Sequence, residues 1–152
     1  MKKSAARRSR DDPKRRGTKS MAMMGAVIRG VDRLSPRLGA QVAARVFLTP
    51  RRARIPDRER GWLEQARPGI FSAGRFQLSG HRWGASGPSV LLVHGWEGRG
   101  SQLGGLALAI AAQGFQSITI DLPAHGSSKG AQTNLLEFAE AIAGAHTAHQ
   151  RP

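Results

Sequence analysis

The stretch from Ser89 to Asp121 constrains this chain most. It opens on a continuous apolar run, SVLLV (Ser89 to Val93), of the kind expected of a strand covered on both faces. A glycine-rich loop follows, HGWEGRG (His94 to Gly100). Ser101 is placed to cap the next helix, in which Leu103, Leu106, Ala107 and Ile110 share one face. Gly114 stands where a glycine closes a helix, and FQSITID (Phe115 to Asp121) is a second strand. Strand, helix and strand in this span make one unit with parallel strands and a right-handed crossover, so the predicted class is α/β.

The flanks extend the pattern. A loop, Leu122 to Gly130, leads to a helix predicted over Thr133 to Ala145, with Leu135, Leu136, Phe138, Ala139 and Ile142 on its apolar side. Before Ser89, RFQLS (Arg75 to Ser79) alternates like a half-buried strand, with His81 to Gly84 as its hairpin partner and Gly80 at the turn. Asp57 to Arg67 reads as a short helix carrying Trp62 and Leu63 and ended by Pro68-Gly69. TPRRARIP (Thr49 to Pro56), with proline at both ends, reads as a linker. In residues 22–48, Val27, Val31, Leu34, Leu38, Val42 and Val46 recur at steps of three or four, opposite Arg29, Arg33 and Arg37. Ser35-Pro36 divides this stretch into two helices. The expectation is that the stripe packs on the chain's own domain; its basic flank also allows peripheral membrane contact through 22–48.

Charge is unevenly placed. Of the 24 Lys and Arg, 18 lie in residues 1–60, which hold 5 of the 10 Asp and Glu, so +13 of the net charge of +14 belongs to that segment. Residues 1–20 are basic and almost free of apolar side chains, and the basic tail, 1–21, is expected to be disordered. Such a tail binds nucleic acid or an anionic surface, or is only a solvated extension preceding a start at Met21, Met23 or Met24. A signal peptide is disfavoured by Asp11 and Asp12 in the basic stretch and by Arg29, which closes the apolar run. No aromatic residue precedes Phe47, so base stacking on nucleic acid is poorly supported. The chain has no Cys, which excludes a disulfide scaffold, a thiolate metal site and a Cys nucleophile. No apolar run approaches the roughly 18 residues of a membrane span, and the expected location is cytoplasmic, with a membrane-peripheral alternative. The expected organisation is a tail, 1–21; an amphipathic helical segment with linker, 22–60; and a domain, 61–152.

Two loops carry a specific resemblance. VLLVHGWEGRGSQ (Val90 to Gln102) resembles the third strand and oxyanion loop of the α/β-hydrolase family. DLPAHGSS (Asp121 to Ser128) is similar to that family's loop after the fourth strand, D-x-x-x-H-G-x-S. The resemblance covers about residues 70–145 and points to bacterial serine hydrolases of the lipase, esterase and acylaminopeptidase-like kind. It implies the N-terminal half of a hydrolase sheet and a small ester or related acyl substrate. It implies the backbone N–H of Trp96 as one oxyanion donor, with His94 and Gly95 shaping its loop, and Asp121, His125 and Gly126 as anchors of the second loop. It implies no cofactor and no metal, because the oxyanion hole supplies the electrophilic stabilisation.

In that family the nucleophile sits on G-x-S-x-G after a fifth strand, and the acid and His follow it. Residues up to Pro152 contain no such strand, so the triad is expected to be absent and the chain, read as a truncated domain, inactive by itself. Gly126-Ser127-Ser128-Lys129-Gly130 matches the motif formally, but Ser128 lies beyond Pro123 and not at a strand-to-helix elbow. Asp121, His125 and Ser128 have the spacing of a triad on one helical face, which Pro123 and Gly126 oppose. Glu97 and Arg99 read as loop or rim residues, and His146 and His149 as surface residues rather than metal ligands. The family places the third strand between the fourth and the fifth. Here one edge of SVLLV would stay unpaired and invite self-association.

Overall fold

The structure, a computed structural model, describes the backbone of residues 13–149 and the side chains of 21–148. It divides into two compact units, Met1–Arg45 and Val46–Pro152. In the first, helix α1 spans Pro13–Leu34 and α2 starts at Pro36 (Pro36–Leu48). Proline suits a first helical position, where its missing N–H is not needed, and this holds for both helices. α1 thus begins inside the stretch expected to be a disordered tail; residues 1–12 lie outside the described residues. The apolar stripe was expected to be packed away, but Val27, Leu34 and Leu38 are exposed.

The second unit begins before residue 61. An irregular strap, Thr49 to Pro56, leads to α3 (Asp57–Leu63), β1 (Arg67–Ala73), β2 (Phe76–Trp83), β3 (Ser89–Val93), α4 (Gly104–Ala111), β4 (Gln116–Ile120) and α5 (Leu135–His149). The sheet order is β1-β2-β4-β3, with β3 parallel to β4 and the other pairs antiparallel. The fold is mixed α/β.

The hairpin differs from the expected one. Its strands are β1 and β2, turned at Gly74-Arg75 with Gly74 at φ +62. Arg75 then ties the turn to α5 through Glu140, with Nε to Oε1 at 2.9 Å. Gly80 lies inside β2, and His81 to Trp83 simply continue the strand. Glycine is needed there for close approach, since a Cβ would overlap the Thr119 carbonyl oxygen and the Phe71 ring. β1 contains Pro68 and Gly69, tolerable because it is an edge strand.

β4 is the central strand and is buried on both faces. Ile118 and Ile120 join Ala73, Leu78, Leu122, Phe138, Ala141 and Ala145 in the core beneath α5. Ser117 and Thr119 point to the other face, where α4 lies. The phase of α5 differs from the expected one. Phe138 is buried as expected and Ile142 partly so, but Leu135, Leu136 and Ala139 are exposed, and the helix buries Ala141 and Ala145 in their place. Small residues set this phase: at Gly144 the helix passes so close to Ala73 and Gly74 that a Cβ would meet their backbone at 2.5 Å. β3 is half-buried rather than covered, because β4 is its one partner among the described residues.

Candidate functional site

The two glycine-rich loops leave the carboxyl ends of the parallel pair, β3 and β4, and meet there. They are joined by a reciprocal exchange between two histidines. The Nε2 of His94 accepts the Leu122 N–H at 3.0 Å, and the Nε2 of His125 accepts the Glu97 N–H at 3.0 Å. An Nε2 that accepts carries no proton, so each ring is neutral and holds its hydrogen on Nδ1. There His94 donates to the Gly95 carbonyl at 2.7 Å and His125 to the Pro123 carbonyl at 2.9 Å. Burial pushes the His94 pKa below its ordinary value, in agreement with the neutral ring.

Trp96 lies between these contacts. The Gly98 N–H reaches the Gly95 carbonyl at 3.0 Å, closing a turn with Trp96 and Glu97 at its corners, and Glu97 adopts φ +55. Among the described residues no hydrogen-bond partner is found for the Trp96 N–H. The indole stacks on Phe47 at 5.5 Å and meets the edge of His125 at 5.2 Å, which fixes the turn's direction.

Asp121 anchors both loops. Its Oδ1 accepts the Gly100 N–H at 2.7 Å, and its Oδ2 accepts the Ser127 N–H at 2.7 Å. Gly126, at φ +48, brings its backbone against the same carboxylate. Ser128 is buried; its hydroxyl donates to the Asp121 carbonyl at 2.5 Å and accepts the Ser79 N–H at 2.9 Å. Asp121, His125 and Ser128 are thus neighbours without a triad's bonds. No hydrogen bond joins carboxylate to imidazole or imidazole to hydroxyl among the described residues, and these residues do not lie on a helix.

Sequence reasoning missed three supports. Arg99 is not a rim residue: it is buried and forms a bidentate pair with Glu59, at 2.8 and 2.7 Å. Ser101 caps nothing. Its hydroxyl donates to the Glu59 carboxylate at 2.7 Å, and a short 3-10 turn, Gly100–Leu103, precedes α4. Burial pushes the Glu59 carboxyl up, but the hydrogen bonds from Arg99 and Ser101 and the Arg99 charge outweigh it and hold the pKa below the usual value. The strap supplies the other two. Arg51 forms a bidentate pair with Glu97, at 3.0 and 2.9 Å, and the hydrogen bond to Arg51 is the chief cause of a lowered Glu97 pKa. Arg52 donates to the carbonyls of Ala124, Ser128 and Gly130 at 3.1, 2.7 and 2.8 Å. Paired arginines between two prolines were the available signal. His146 and His149 lie in the last turn of α5, away from both loops in sequence.

These contacts fix the sign of a pH response. A group whose pKa is depressed by folding stabilises above its unfolded pKa and loses that contribution as pH falls. The melting temperature is expected to be level above pH ~7, to fall below pH ~6.5 as unfolded chains protonate the His94 and His81 positions, and to fall again below pH ~4.3 with Glu59 and Glu97. Thermal melts from pH 8 to 4 check this, and a melting temperature unchanged down to pH 5 contradicts it.

No family model and no curated protein matches the chain. Among solved structures, an epoxide hydrolase from Vigna radiata superposes on 57% of this chain and 28% of its own, at 19% identity and TM-score 0.48. A bacterial membrane phospholipase A superposes on 90% of this chain and 41% of its own, at 20% identity and TM-score 0.47. The chain spans less than half the length of either. Among the described residues no helix is long and apolar enough to cross a membrane.

Proposed function

We propose that this chain carries the oxyanion-loop half of a serine-type α/β-hydrolase that acts on esters or related acyl substrates, with the nucleophile supplied from outside these residues. The observation that carries the reading is the Trp96 N–H. Among the described residues it stands without a hydrogen-bond partner at the carboxyl end of a parallel strand, in a turn held by His125, the Phe47 stack and Arg51. Attack on an acyl carbonyl puts negative charge on its oxygen, and a donor already fixed in place needs no reorganisation to meet it. Glu97 would oppose an oxyanion beside it; its ion pair with Arg51 offsets that charge. Ser128 fits a structural role, since both its proton and a lone pair are already engaged in the interior.

A serine-directed fluorophosphonate tests the reading. The 152-residue chain alone is expected to take up no label, while the native gene product containing it is labelled at a serine outside these residues. A native product that stays unlabelled, or a label on Ser128, overturns the proposal.

A further inference from the structure

We infer that α1 and the start of α2 form a docking surface for an anionic lipid bilayer. Met24, Val27, Val31 and Leu34 follow one another at helical steps along α1, and Leu38 continues the series in α2. Most of this arc is exposed: Met24 is 42% exposed, Val27 52%, Leu34 89% and Leu38 53%, with Val31 half-buried between them. Arg29 and Arg33 stand one turn apart on the other side of α1 and are exposed as well. Residues 13–45 hold eight Lys and Arg against one acid, Asp32.

The occupant follows from the two faces together. A second copy of the chain could cover the apolar arc only by bringing two strongly basic helices side by side. Nucleic acid would meet the arginines and leave the apolar arc in water. An anionic bilayer interface satisfies both faces, with the aliphatic side chains at the acyl boundary and the guanidinium groups among the headgroup phosphates. The helix lies on the bilayer and does not cross it, in keeping with its low apolar content.

Flotation of the full chain with vesicles gives the test. Binding to phosphatidylcholine vesicles containing about 30% phosphatidylglycerol is expected to exceed binding to phosphatidylcholine alone at least tenfold at about 0.1 M salt. Arg29→Glu with Arg33→Glu should weaken it by roughly twentyfold or more, about fivefold for each Arg lost. Val27→Asp with Leu34→Asp should abolish it. Both pairs change exposed side chains, so each variant should keep the thermal melt of the parent domain. Equal binding to both vesicle types, no binding to either, or full retention by the Val27→Asp, Leu34→Asp variant overturns the proposal. If that variant still binds a DNA duplex as the parent does and neither binds vesicles, the surface serves nucleic acid instead.

Discussion

Arg99→Ala is expected to destabilise the second unit by about 3–5 kcal/mol, the largest stability loss of any single change at this site. The substitution removes one half of a buried pair. It leaves the buried Glu59 carboxylate with one remaining hydrogen bond, from Ser101. Such a carboxylate can escape its charge only by taking up a proton, so the loss should be greatest near neutral pH and shrink toward pH 5. The pair is not indispensable in principle, because a volume-matched replacement avoids the stranded charge. Glu59→Gln with Arg99→Met keeps an acceptor for Ser101 and should recover more than half of the loss. Urea denaturation at pH 7 and pH 5 measures both quantities. A single variant within about 1 kcal/mol of the parent would mean that water reaches Glu59.

Trp96→Pro is the decisive change at the candidate oxyanion loop. Trp96 occupies the second position of its turn, where the fixed φ of proline fits. The substitution deletes the N–H and leaves the turn intact, whereas Trp96→Ala keeps the N–H; both lose the indole stack on Phe47. In the native gene product acting on a p-nitrophenyl ester, kcat for the proline variant should fall about 10²–10³-fold below that of the alanine variant, with KM little changed. Equal kcat values for the two variants would show that the ring, not the N–H, carries the effect.

Much of the sheet's centre was legible in the sequence. SVLLV is a continuous apolar run, FQSITID is rich in the Phe, Ile and Thr that favour strands, and the helix between them is bounded by glycine, so β3, α4 and β4 announce themselves. The edge was harder. Pro68-Gly69 reads as a helix stop followed by a break, yet an edge strand tolerates both residues, so β1 leaves no strand signal in the sequence. Gly80 reads as a turn in sequence because its reason for being glycine, the Thr119 carbonyl, belongs to a strand almost forty residues later. The positions of both loops could be read from motif spacing. The Glu59–Arg99 pair and the strap arginines could not. Each joins positions at least 40 residues apart, and a charged side chain looks the same in sequence whether it is solvated or buried.

The order of the strands also bears on how the chain is made. β4 lies between β2 and β3, yet it is the last of the four to be synthesised. The β1–β2 hairpin is local and can close within about 1–10 μs of emerging. β3 has no such neighbour. At about 5–20 residues per second, a ribosome takes on the order of one to several seconds to pass from Val93 to Ile120. For all of that interval SVLLV has both edges open and nothing to pair with. A waiting period about five to six orders of magnitude longer than hairpin closure makes β3 the segment on which a nascent chain most depends for shielding.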